Sequence, residues 1–176
     1  MSTDLVIRDA RPDEFAAVGR LLVEVYAGLA GFPTPAEQPQ YYELLANVGR
    51  FTQRRHTRLL LAVTPQGELV GCIVYFGDMA HYGSGGVATS LKNASGIRLL
   101  AVDPRRRKLG AGRALTLECI ELARKARHAE VILHTTQAMQ IAWRLYESVG
   151  FARSEDLDFL QQGLPVFGFR LRLSHS

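Results

Sequence analysis

The chain has 176 residues, 47% hydrophobic and 22% charged, a size and balance that suit one globular domain and exclude a disordered or collagen-like chain. No apolar run approaches the ~20 residues that cross a bilayer, and the N-terminal segment is too polar for a secretory signal, so a single cytoplasmic domain over 1–176 is expected. The net charge of +4, from 21 basic and 17 acidic residues, is too mild to mark a nucleic-acid binder.

Residues 6–8 are predicted as a short opening strand. Pro12 then suits a first helical turn, with Asp13 and Glu14 near the positive end of the helix dipole. Phe15, Val18, Leu22, Val25 and Leu29 recur at helical spacing and predict one buried face. Gly31, Pro33, Pro35 and Pro39 break that pattern into a loop, and a second amphipathic helix follows with Tyr41, Leu44, Leu45, Val48 and Phe51 on its apolar side. Residues 59–63 and 69–76 are apolar runs joined by Pro65, Gln66 and Gly67, which predicts a hairpin. The glycine- and serine-rich stretch 77–96, containing Asp78, His81, Tyr82, Lys92 and Asn93, is predicted as a long loop.

Residues 97–102 form a predicted strand that runs into Asp103 and Pro104. Arg105, Arg106, Arg107 and Lys108 follow consecutively, with no interleaved aromatic, and lead straight into glycines. Leu115, Cys119, Leu122 and Ala126 mark a third helix, with Arg124, Lys125 and Arg127 near its negative end. Residues 131–133 read as a strand and 141–149 as a helix stopped by Gly150. In the tail, Phe167, Phe169, Leu171 and Leu173 alternate with Gly168, Arg170 and Arg172, the pattern of a half-buried strand. That strand offers a candidate edge should two copies pair as a homodimer. This order of elements indicates an α+β or mixed α/β fold. Cys72 and Cys119 lie in apolar runs and are read as small buried hydrophobes, forming neither a disulfide framework nor a metal site.

The segment 102–113 follows a strand and opens a helix. Unpaired N–H groups at a helix start bind anions. Gly110 and Gly112, lacking a Cβ, let the backbone approach a phosphate and tolerate positive φ. Arg107, Lys108 and Arg113 add charge, so the segment reads as a diphosphate cradle; a structural tight turn also accounts for two alternate glycines. A dinucleotide fingerprint is incomplete, because its third glycine position is Leu115, and no Gly-Lys-Ser/Thr follows.

Arg107-Lys-Leu-Gly110-Ala-Gly112 matches the signature R-x-x-G-x-G/A, and 142–151 is similar to A-x-x-x-Y-x-x-x-G-F, with Tyr146 at its centre. On these motifs, and on the strand 99–104 before them, the chain resembles the GNAT superfamily of N-acetyltransferases. The resemblance implies a central, mostly antiparallel sheet of six to seven strands with about four flanking helices. It also implies acetyl-CoA as cosubstrate, no metal, and a small-molecule or peptide primary amine as acceptor, attacked directly in a ternary complex without nucleic-acid or membrane partners. Backbone groups of Leu100, Ala101 and Val102 would hold the pantetheine arm. The N–H groups of Lys108, Leu109, Gly110, Ala111, Gly112 and Arg113, with Arg107 beside them, would hold the pyrophosphate. Tyr146 would be the general acid for the departing thiolate; from the residues alone it is also readable as a core-edge tyrosine on the face of Ile141, Leu145 and Val149.

Two departures from the family pattern stand out. Relatives often carry a carboxylate on the fourth strand, whereas 95–99 holds none. Asp103, before Pro104, suits a turn, and His134 a satisfied core-edge position, so no base is identified. His81 and Tyr82 are acceptor-side candidates, each expected to be solvated. Met139 stands where relatives often carry an asparagine, with Gln137 or Gln140 as substitutes. Both departures motivate the alternative of a non-catalytic coenzyme A-binding regulatory module.

Overall fold

The computed structural model describes residues 4–83 and 85–174. In chain order these form β1 (Val6–Asp9), α1 (Phe15–Ala27), α2 (Pro39–Ala46), β2 (Thr57–Val63), β3 (Leu69–Phe76) and β4 (Ala94–Val102). They continue with α3 (Ala111–Lys125), β5 (Glu130–Thr135), α4 (Gln140–Ser148), β6 (Ala152–Arg153), β7 (Phe159–Gln161) and β8 (Leu164–Arg172). One mixed sheet runs β1-β2-β3-β4-β5-β8-β6, with β7 folded back on β8. Every pair is antiparallel except β4–β5. The expected mixed α/β class is observed. The sheet has eight strands where six to seven were expected, the addition being the short β7 against the start of β8.

β2 and β3 are almost wholly buried because helices cover both faces of the sheet. Alternation along β2 sorts its side chains. Leu59 and Leu61 pack with Val18, Leu22 and Leu45 of α1 and α2, whereas Leu60 packs with Leu115 and Cys119 of α3. Each fully buried leucine contributes about 1.5–3 kcal/mol.

Three expectations are corrected. The long loop ends at Asn93, and β4 starts at Ala94 rather than 97. Ser95 is buried in the strand because its hydroxyl bonds both Tyr75 Oη and His128 Nδ1, each at 2.7 Å. Gly96 is there because a Cβ would meet the Tyr82 ring at 2.5 Å. The second helix stops at Ala46, and a 3-10 turn carries Val48–Gln53 past the ring of Phe15, which lies where a Gly49 Cβ would sit. The C-terminal strand is not an edge. β8 lies between β5 and β6, and the sheet's outer strands are β1 and β6.

Gly19 brings α1 against α2, and a Cβ built on it sits 2.2 Å from the Ala46 carbonyl oxygen. Gly→Ala in a free helix gains about 1 kcal/mol, but here the helices must part, and overpacking costs about 1–3 kcal/mol or more. Gly19→Ala is therefore expected to lower Tm by several degrees in a thermal melt, at ~2–4 °C per kcal/mol.

Candidate active site

β4 and β5 pair only from Ala94↔Glu130 to Ile97↔Leu133. At Leu99 the backbone turns to φ +61°, and the register of β4 on β3 slips between Cys72 and Val74. Such a bulge bends its strand. Beyond it β4 continues on β3 alone, with Cys72↔Ala101 and Gly71↔Val102. The β5-facing edge of Leu100, Ala101 and Val102 thus lacks a strand partner among the described residues. The Leu100 carbonyl accepts a hydrogen bond from Tyr26 Oη at 3.3 Å. Ligands of open α/β sheets bind at breaks of this kind.

The segment after β4 is a 3-10 turn, Pro104–Leu109, whose start is fixed by Asp103 accepting from the Arg105 N–H at 3.0 Å. This is the turn role expected of Asp103. Lys108 and Leu109 fall in that turn, and the helix proper begins after Gly110. Gly110 has φ +79° and caps α3 without any side-chain cap. The first ladder bond is Ala114 N–H to the Gly110 carbonyl, which leaves the N–H groups of Ala111, Gly112 and Arg113 outside the helical ladder. Gly112 also has a packing use, since a Cβ there would lie 3.1 Å from Leu145 Cδ2. It lets α4 approach α3.

The basic run divides by partner. Arg105 is tied to Asp103 and Glu24, and Arg106 to Glu68. Arg107, Lys108 and Arg113 are exposed and make no ion pair among the described residues. Uncapped N–H groups, a left-handed glycine and three exposed cations therefore lie within one short segment. That arrangement fits an anionic diphosphate.

Tyr146 is buried on α4 with its ring edge-on to Phe151 at 5.8 Å. Its hydroxyl makes no hydrogen bond among the described residues. Burial pushes the phenol well up, and the nearby Tyr82 adds to this, so Tyr146 keeps its proton through neutral pH. Gln140 Nε2 donates to the backbone and side-chain oxygens of Gln137 at 2.9 and 3.2 Å, so the two glutamines bond each other on the exposed side. Met139 instead packs against the core. Burial also pushes both thiols up, that of Cys72 to about 12.

Across the β4–β5 gap lies a cavity that opens to solvent. Tyr26, Phe32, Tyr41, Phe159, Met139 and Leu164 supply apolar wall; Arg98, His134, Thr135 and Thr136 supply polar groups; no carboxylate lines it among the described residues. Tyr82 also lines it, and the expectation that Tyr82 is solvated is wrong. Its ring is fully buried against Phe76 at 5.4 Å, over Gly96. His81 stays partly exposed outside the lining, its carbonyl accepting from Arg54 Nη1 at 2.9 Å.

His134 is a satisfied core-edge histidine, as expected. Its Nε2 is 2.9 Å from the Leu157 carbonyl oxygen. A carbonyl can only accept, so Nε2 carries the proton and Nδ1 accepts from Tyr82 Oη at 2.9 Å. Desolvation lowers its basicity and keeps the ring neutral. Thr135 Oγ1 and Thr136 Oγ1 are buried without a partner among the described residues, an uncommon state for a hydroxyl. Sequence reading missed these two hydroxyls and Arg98; the one available signal was a lone arginine within the apolar run 97–102.

The acetyltransferase (GNAT) family matches residues 22–151 of the chain. Among curated proteins, mycothiol acetyltransferase of Acidothermus cellulolyticus is 35% identical over 91 residues, a stretch that covers 48% of this chain and 27% of that protein. Among solved structures, the PaiA N-acetyltransferase of Thermoplasma acidophilum in complex with coenzyme A superposes with a TM-score of 0.72 at 17% identity, covering 97% of this chain and 99% of that one. The yncA structure from Salmonella typhimurium, solved with its cofactor acetyl-CoA, gives 0.67 at 17% identity, with 98% and 95% covered. The structural likenesses establish a shared fold.

Replacing Arg107, Lys108 and Arg113 together by glutamine is expected to weaken binding of ADP, a simple diphosphate, about tenfold or more at low salt, with the difference shrinking as salt rises. Arg105→Gln, whose charge is already tied to acids, should change it by no more than about twofold. Titration calorimetry reads both.

Proposed function

The chain belongs to the acetyltransferase (GNAT) family, and from that premise we propose that it transfers the acetyl group of acetyl-CoA to a primary amine by direct attack in a ternary complex. Acetyl-CoA, when bound, supplies the acyl group as an activated thioester. The observation that carries this reading is the partnerless edge of β4 beside the uncapped start of α3, where a Cβ on Gly112 would lie 3.7 Å from the Val102 side chain.

Backbone groups of Leu100, Ala101 and Val102 hold the pantetheine arm as an added strand would be held. The N–H groups after Gly110 and the charges of Arg107, Lys108 and Arg113 hold the pyrophosphate. Tyr146 Oη keeps a proton ready for the departing thiolate. Its burial disfavours the phenolate, so the hydroxyl stands protonated when the thiolate leaves.

On the acceptor side, a cavity with one cation and no carboxylate disfavours an ammonium, so the neutral amine is the form that binds. His134 does not act as base, because Nε2 is protonated and Nδ1 is engaged by Tyr82. Direct attack is supported by the thiols: both are buried and held protonated, so neither offers a thiolate for an acyl-enzyme.

Thiol release from acetyl-CoA, measured over a panel of amines, tests the acid role. Tyr146→Phe is expected to lower kcat by about a hundredfold while leaving acetyl-CoA affinity within about twofold, because the hydroxyl stabilises the leaving group rather than the bound cofactor. Equal kcat in the two proteins would remove Tyr146 from the chemistry.

A further inference from the structure

We propose that the acceptor is a small primary amine that also carries a carboxylate, and that Arg98 is the residue that binds this anion; the inference rests on the transferase reading above. Arg98 is the only charged side chain among the described residues lining the cavity. It sits half-buried on β4, immediately before the bulge, and joins no ion pair among the described residues. A guanidinium has five N–H donors. One is used, from Nη1 to the Tyr82 carbonyl at 2.9 Å.

Arg54 sharpens the point. Its Nη1 bonds the neighbouring His81 carbonyl at 2.9 Å, it too has no acid partner, and both guanidinium carbons lie over the Phe51 ring, at 4.3 and 5.6 Å. Burial and the charge of Arg98 lower the basicity of Arg54. By contrast, Arg8, Arg58 and Arg153 each make two hydrogen bonds to one carboxylate. Arg54 lies outside the cavity lining, but its charge beside the part-buried Arg98 makes an anion on Arg98 more favourable. A ligand carboxylate offers the planar, two-oxygen partner that a guanidinium fork matches.

The remaining lining narrows the class. Thr135 and Thr136 line the cavity beside Arg98, and their hydroxyls are buried and unpartnered among the described residues. Phe32, Tyr41 and Phe159 suit an apolar or aromatic body. A polyamine or lysine-rich peptide would set like charge against Arg98 and find no acid in return. Amino-acid-like amines with an apolar side group meet all of these conditions.

The test compares matched probes: phenylalanine and methionine against their amides and their decarboxylated amines, as kcat/KM for acetylation by the full-length protein. In a second arm, calorimetry compares N-acetylphenylalanine with N-acetylphenethylamine as ligands in the presence of coenzyme A. The carboxylates are expected to lead by about tenfold or more in both arms. Arg98→Gln should collapse that ratio to near unity, and Arg98→Lys should retain part of it. Wild-type protein that acetylates amides and decarboxylated amines as well as the amino acids, or a ratio unchanged in Arg98→Gln, overturns the proposal and leaves the transferase reading intact. Arg98-dependent binding of N-acetylphenylalanine without acetylation of any amine supports the anion site and overturns the transferase reading instead.

Discussion

The structure turns on the place where β4 stops pairing with β5. Four residue pairs hold the two strands together, and then Leu99 takes a left-handed backbone conformation. For a non-glycine residue this costs of order 1–3 kcal/mol, so the surrounding sheet must over-determine it. Leu99 is buried, its carbonyl lies 3.7 Å from Cys72 Sγ, and the next carbonyl takes the Tyr26 hydroxyl. The bend separates two surfaces. One is the bare strand edge that leads to the start of α3, and the other is the cavity wall that carries Arg98.

Charge is distributed according to the same division. Arginines that serve the fold are matched to acids: Arg170 with Glu130 and Asp156, Arg153 with Asp158, Arg105 with Asp103. Those that face the two openings are not matched. Arg107, Lys108 and Arg113 lie at the start of α3, while Arg98 lines the cavity. Protonated phenols and thiols and a neutral histidine complete a site that contains no internal anion among the described residues.

The glycine-led helix start proposed as the donor side was legible in the sequence because its determinants are local. Glycines, a basic run and a helix start lie within one segment, and Tyr146 follows at a fixed distance in a second motif. The β2–β3 hairpin and the helical stripes of α1 and α3 were legible for the same reason, since periodicity reports burial directly. What was misread depends on distant partners. Ser95 and Gly96 look like loop until Tyr75, His128 and Tyr82 pack on them. Tyr82 looks solvated in a glycine-rich stretch until it is seen against Phe76 and His134. β8 looks like an edge because β6 is only Ala152 and Arg153, too short to leave a pattern. The cavity is assembled from the α1–α2 connection, β4, β5 and the β7–β8 hairpin, and no single segment announces it.

Amide hydrogen exchange, followed by mass spectrometry with and without saturating acetyl-CoA, tests directly whether the break beside β5 and the start of α3 form one donor site. The account expects slowed exchange across residues 100–102 and 110–113, with the β1–β2 ladder unchanged. Saturation of the protein with no added protection at either segment, or protection confined to another face of the sheet, would contradict it.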